Sequence, residues 1–209
     1  MDQNDTIDND ICRMLARLAA DYGVRHVVVS PGTRSAPLAV TLHRSGCFCM
    51  HTVVDERSAA FIALGIAVTE GTPVVLVCTS GSAMMNYGPA LAEAYYRHVP
   101  LIAITADRPE WWIDQLDSQT MRQPGALASV VRYSTDIPVA ADTDARLFAL
   151  ANRHVNEAFT TSISAPAGPV HINVHLDAPL TPVRSANPTF VARKIETIRP
   201  AASSSDHAQ

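Results

Sequence analysis

The feature that most constrains the fold is a recurring pair, a short β-branched apolar run followed by a helical pattern. The runs lie at residues 26–30 (HVVVS), 50–54 (MHTVV), 73–79 (PVVLVCT) and 100–105 (PLIAIT). Weaker ones follow at 133–138 (YSTDIP) and 169–174 (PVHINV). The stronger central runs are apolar at consecutive positions instead of alternating. That suits strands covered on both faces, as in a parallel sheet flanked by helices. Between runs, residues 5–22 place Ile7, Ile11, Leu15 and Leu18 on one helical face and stop at Gly23. Residues 143–158 place Leu147, Leu150, Ala151 and Val155 likewise. The alternation predicts one α/β domain over residues 1–178, a doubly wound, mainly parallel six-stranded sheet with helices on both faces. Residues 179–209 contain Pro179, Pro182, Pro188 and Pro200 and end in a Ser-rich stretch. They read as a linker or tail leaving the domain, as in the first part of a longer chain.

Composition removes several classes of function. With 209 residues, 47% hydrophobic and 17% charged, the chain can bury a core and is not of disordered type. A formal charge of −4 gives no electrostatic case for nucleic acid or an anionic membrane as partner. No apolar stretch approaches the roughly 20 residues of a transmembrane segment, and the acidic N-terminus is unlike a secretory signal, so a cytoplasmic protein is expected. Cys12, Cys47, Cys49 and Cys78 suggest neither a disulfide framework nor a zinc site, since Cys47 and Cys49 form a single C-x-C. The histidines include no H-E-x-x-H, and no residue is assigned to a metal.

In open parallel sheets ligands bind beyond the carboxyl ends of the strands, so the segments after each run carry the functional question. After the first run, Pro31 and Gly32 make a turn, Ser35 stands at an N-cap position and Pro37 lies in the first helical turn. Helix-start amides with Arg34 beside them form a carboxylate or phosphate site; the alternative is a capped turn with a solvated arginine. Neither a Walker lysine nor G-x-G-x-x-G is present. After the second run, Asp55 can cap the next helix and Glu56 suits its dipole, which is also the bland reading of such a pair. Residues 58–68 are apolar nearly all round, with Ala60, Ala63 and Ala67 on one face. A helix without a wet face needs cover on both sides, here from a second subunit. Glu56 would then sit at the edge of a dry interface, where burial raises a carboxyl pKa and lets it share a proton with a ligand nitrogen. After the third run, Gly81 permits close backbone approach. After the fourth, Arg108 opens a long connection through Trp111, Trp112, Gln119, Arg122 and Gln123, of a length that is more often functional than not. The two tryptophans suit a core edge and a partner surface equally.

Five segments occur in order at these strand ends: S-P-G-T-R-S-A-P at 30–37, D-E-R at 55–57, T-S-G-S-A at 79–83, T-A-D-R-P at 105–109 and Q-x-x-R-Q-P-G at 119–125. Over residues 8–178 the chain resembles the N-terminal pyrimidine-binding domain of thiamine-diphosphate enzymes. Within them it is most similar to the MenD family, the SEPHCHC synthases of menaquinone biosynthesis. The resemblance implies a homo-oligomeric carboligase that decarboxylates 2-oxoglutarate and adds the succinyl unit to isochorismate, with its active site at the subunit interface. By the same resemblance Glu56 is the catalytic glutamate that hydrogen-bonds N1′ of the aminopyrimidine. Pro31 and Thr79 would lie close to that ring. Thr33, Arg34, Arg108 and Gln119 would bind substrate. The family's Mg²⁺ is held by a G-D-G…N motif in a further domain, and no G-D-G occurs in these 209 residues. The resemblance therefore implies a truncated chain, inactive by itself. Two other readings stay open: a thiamine carboligase or decarboxylase of the acetolactate-synthase type, and a non-catalytic anion-binding α/β module.

Overall fold

The computed structural model describes residues 5–6, 9–180, 183–184 and 195–199. Its strands are β1 (Asp5–Thr6), β2 (His26–Val29), β3 (Cys49–Thr52), β4 (Val74–Cys78), β5 (Leu101–Asp107), β6 (Tyr133–Ile137), β7 (Val170–His175) and β8 (Val183–Arg184). Its α-helices are α1 (Asp10–Asp21), α2 (Ala36–Arg44), α3 (Glu56–Glu70), α4 (Ser82–Met85), α5 (Gly88–Tyr96) and α6 (Ala145–Ile163). Six strands form one sheet in the order β3-β2-β4-β5-β7-β6, every pair parallel, and β1 pairs antiparallel with β8. The predicted α/β architecture is thus present, with a sheet that is wholly parallel.

The consecutive apolar runs follow from this arrangement. Every residue of β4, β5 and β7 is buried: alternate side chains enter two apolar cores, except that Thr105, Asp107, His171, Asn173 and His175 turn to buried polar partners. Val27, Val75 and Ile102 point to the core beneath α1, α2 and α6. Val28, Leu76 and Ala103 point to the core beneath α3 and α5. The edge strand β3 is only partly covered.

Two helix expectations need correction. Asp5 and Thr6 pair with Arg184 and Val183, so α1 begins at Asp10, where the Asn9 side chain accepts a hydrogen bond from the Cys12 amide at 2.8 Å. Ile7 lies outside the described residues; Ile11, Leu15 and Leu18 are buried as expected. In α6 the inward stripe is Phe148, Ala151, Val155 and Phe159, and Leu150 is 46% exposed. The large Phe148 takes the inward position next to Leu147, and that phase turns Leu150 outward.

The stretch beyond Ala178 was expected as a linker, and part of it lies on the domain. The Asn156 side-chain amide donates to the Glu196 carbonyl at 2.7 Å and its oxygen accepts from the Ile198 amide at 2.7 Å, while Thr197 bonds Asp21. Residues 201–209 lie outside the described residues. The helix phase gives a direct stability test. Ile104→Ala, on a strand buried from both faces, should cost about 2–5 kcal/mol in urea unfolding. Leu150→Ala should stay within about 0.5 kcal/mol of the parent.

Candidate functional site

All six sheet strands run the same way, so their carboxyl ends share one rim. From β2 the chain passes to β3 on one side, then to β4 on the other. That reversal opens a crevice beyond the ends of β2 and β4. Residues 30–35 enter it from β2, 53–56 from β3 and 79–81 from β4.

The first and third turns interlock. A side chain on Gly32 would put its Cβ 2.4 Å from the Thr79 Cβ, so glycine is what lets the two loops touch. Thr79 is buried against this contact, whereas Pro31 and Thr33 are exposed at the rim. Ser35 does not cap α2 with its side chain; its hydroxyl donates to the Gly32 carbonyl at 3.1 Å and ties the turn to itself.

Glu56 is the first residue of α3 and half-buried. Asp55 is the cap, accepting from the Ser58 amide at 2.7 Å, which leaves the Glu56 carboxyl available. Behind it lie Cys78 and Tyr87. Burial, with the Glu56 charge adding to it, holds both of these groups protonated well above their usual ranges.

Arg34 and Arg108 follow β2 and β5 and lie within electrostatic reach of each other. The Arg34 Nη1 donates to the carbonyl of Leu176, just past β7, at 2.7 Å. Its pKa is lowered by burial and then by the charge of Arg108, with Asp177, Asp117 and Asp107 acting the other way. Arg108 pairs with Asp117 at 3.0 Å and donates to the Ser118 carbonyl at 2.7 Å, leaving a buried Nε without a partner. An anion at this rim would relieve their repulsion. Gln119 has left-handed backbone, φ 56°, and its carbonyl accepts from the Ser80 hydroxyl at 3.0 Å. Its backbone also rests on Gly81, where a Cβ would lie 2.9 Å from the Gln119 carbonyl oxygen. This contact joins the arginine side of the crevice to the Thr79 side. No hydrogen bond links Glu56 to Arg34, Arg108 or Gln119 among the described residues.

Residues 10–126, more than half of the chain, match the family described as thiamine pyrophosphate enzyme, N-terminal TPP binding domain. The chain belongs to that family. It is also similar to curated proteins named 2-succinyl-5-enolpyruvyl-6-hydroxy-3-cyclohexene-1-carboxylate synthase. The Porphyromonas gingivalis protein is 49% identical over 158 residues, covering 76% of this chain and 27% of that one. The Desulfotalea psychrophila protein is 48% identical over 166 residues, 79% and 31% of the two chains. For Lysinibacillus sphaericus the figures are 46% over 180 residues, 86% and 31%. The chain spans under a third of the length of these relatives.

A TPP-binding domain of this family must offer polar groups that its own fold does not use. Ser30 Oγ and Tyr87 Oη are both buried; they lie close enough to interact with each other, and Tyr87 with Cys78, but neither meets a partner at full hydrogen-bond geometry. Tyr87 lies within the electrostatic reach of Glu56 and beside Ser30. Incompletely satisfied buried hydroxyls within electrostatic reach of the Glu56 carboxyl fit a ring that carries donors and acceptors of its own, such as an aminopyrimidine.

Sequence reasoning passed over the buried support under Arg108. Gln123 accepts from the Gly81 amide at 2.6 Å and donates to Asn173 at 2.7 Å. Asn173 donates to Asp107 at 2.9 Å and to Asp136 at 2.8 Å. His175 donates from Nδ1 to the Arg108 carbonyl and lies 3.1 Å from Asp136 through Nε2. Gln123 and Asp107 stood in the marked segments, and the alternate polar residues in and just after the 169–174 run (His171, Asn173, His175) were the signal for the remainder.

Burial acts against a charge on His175, but the bond to Asp136, the Arg108 carbonyl and the Asp107 charge outweigh it and lift the pKa to about 9. A raised folded pKa means that the native state holds the extra proton. The stabilisation is complete below about pH 6.5 and is lost as pH rises through about 9. Unfolding free energy measured by urea titration should fall by up to about 3 kcal/mol across that window. In His175→Gln the profile should be flatter over the same range.

Proposed function

We propose that this chain supplies the aminopyrimidine-binding half of a thiamine-diphosphate carboligase that decarboxylates 2-oxoglutarate and joins the succinyl unit to isochorismate. The observation that supports the reading is that Arg34, whose pKa is lowered by burial and then by the charge of Arg108, and the half-buried Glu56 both follow strands whose carboxyl ends share one rim. The first gives a site for polyanionic substrates, the second a carboxyl suited to a ring nitrogen. The relatives' name, a cyclohexene-carboxylate synthase, is consistent with substrates of this charge.

When bound, thiamine diphosphate supplies an acidic carbon that bonds the 2-oxo acid and stores the electron pair released with CO₂. Glu56 would hold a proton at N1′ of the aminopyrimidine. Its position at the start of α3, with Asp55 carrying the capping role, leaves it free to do so. Pro31 and Thr79 would line that ring, Thr79 being fixed by Gly32. Arg34, Arg108, Thr33 and Gln119 would bind and orient the substrate carboxylates, and the Gln123–Asn173 links would keep the Gln119 turn in place. Mg²⁺ and diphosphate would be held by another domain, so the chain would not turn over substrate by itself.

Side chains of α3 and α5 support a homo-oligomer with the site at its interface. Phe61, Ile62 and Val68 are 43–45% exposed and Tyr96 is 81% exposed, and between Ser58 and Thr69 the outer side of α3 exposes only apolar residues and Gly65. A second subunit would dry that surface and the edge where Glu56 lies. Trp111 and Trp112, 56% and 48% exposed, are available to the same kind of contact. No helix among the described residues is long and apolar enough to cross a membrane, and a cytoplasmic setting fits these substrates.

In the complete enzyme Glu56→Gln should lower kcat by roughly 10²–10⁴ while leaving the fold intact by circular dichroism. Arg34→Ala should raise the KM for the dicarboxylic oxo acid by about 10–100-fold, the worth of one charge-assisted contact. Unchanged turnover in Glu56→Gln, or a preference for pyruvate over 2-oxoglutarate in the parent, would remove this reading.

A further inference from the structure

The H-x-x-x-H spacing at His171 and His175 does not make a metal pair, because on β7 the two lie about 13 Å apart along the strand. A different set is assembled by strand pairing. Register in the β2–β3 ladder places His26 opposite Cys49 and Val28 opposite His51. Cys49 and His51 are two residues apart on β3 and so share a face. His26 shares a face with Val28, which enters the core beneath α3 and α5, whereas Met50 packs on the opposite core. The three side chains thus project from one side of the sheet edge. Their donor atoms lie within 4.8 Å of one another, and His26 Nδ1 is 3.0 Å from His51 Nε2.

We propose that His26, Cys49 and His51 form a zinc-binding site on the open edge of the sheet. Two imidazole nitrogens and a thiolate are donors that Zn²⁺ prefers. At bond lengths of about 2.0–2.1 Å, two nitrogens of a tetrahedral zinc stand about 3.3 Å apart, a few tenths of an ångström from the separation present here. Edge exposure of Cys49 gives the ion a way in and leaves its fourth position to water. On binding, the Cys49 S–H proton passes to solvent as the Zn–S bond forms. The proton shared between the two histidines moves to a ring nitrogen that faces away from the metal. His26 and Cys49 are the first residues of their strands, so the site lies at the end of the sheet opposite the cofactor crevice. Its effect would be structural, since it fastens the edge strand that leads directly into Asp55 and Glu56.

Cobalt(II) titration of the untagged, chelator-stripped chain tests the site. One Co²⁺ per chain should bind with a thiolate charge-transfer absorption and intense tetrahedral visible bands. Zn²⁺ should displace it, and Cys49→Ser should abolish the charge-transfer band. A Zn²⁺ concentration about 100-fold above Kd should raise Tm by about 5–10 °C. Alkylation supplies a control that needs no variant. Cys47 is also exposed, but its thiol is turned to the Ser45 carbonyl. Zn²⁺ should slow iodoacetamide labelling of Cys49 at least tenfold and leave Cys47 within twofold, as read by peptide mass spectrometry. An unchanged cobalt spectrum in Cys49→Ser, or equal labelling of Cys49 with and without Zn²⁺, overturns the proposal.

Discussion

In-register parallel pairing of β2, β4 and β5 is the constraint on which the rest of the molecule depends. His26 aligns with Val74 and Val74 with Leu101, so the strands start level and their following loops emerge on one rim. The same pairing buries each central strand from both faces, because parallel neighbours require crossovers and the crossovers are helices. A shift of one residue in any of these ladders would send Val27 and Val29 into the wrong core. It would also part Gly32 from Thr79. The crevice and the cores are therefore products of one register.

Support for the crevice is a buried polar cluster. Gln123, Asn173, Asp107 and His175 are all buried and bonded to one another or to backbone. Such a network holds a unique arrangement because each member would be costly to leave unsatisfied. It ties the end of β4, through Gly81, to the ends of β5 and β7, and so carries the Gln119 turn and the Arg108 backbone together. His171, equally buried, stays neutral: burial lowers its pKa to about 4, and it bonds Thr105 at 2.7 Å. Two histidines four residues apart on one strand thus have opposite charge states, because only His175 has a carboxylate within hydrogen-bond reach.

On the other face, α3 is covered by the sheet on one side only. Ala60, Ala63 and Ala67 allow it to lie close on β2 and β4, while Phe61, Ile62 and Val68 face outward along the middle of the other side. Glu56 stands at the first turn of that half-covered helix. A shared surface there would link assembly to chemistry, as the carboxyl would be desolvated only when the second surface arrives.

The sequence by itself determined the alternation of strand and helix, the two-sided burial of the central strands and the segments that meet at the rim. Those features are local: runs of Val, Ile and Leu, turns at Gly32 and Gly81, and an acid that can cap at Asp55. Motif resemblance also marked Glu56, Arg34, Arg108 and Gln119, which follow strands β3, β2 and β5 of one parallel sheet. Tertiary structure decided what depends on partners far apart in the chain. The phase of α6 followed from Phe148 packing inward. The docking of residues 195–199 on α1 and α6 rests on bonds from Asn156 and Asp21. His26, Cys49 and His51 have no metal-ligand spacing in the chain and become neighbours only because β2 and β3 pair side by side. Hydrophobic periodicity is written residue by residue, whereas the meeting of polar groups is set by strand order and register, which no short segment contains.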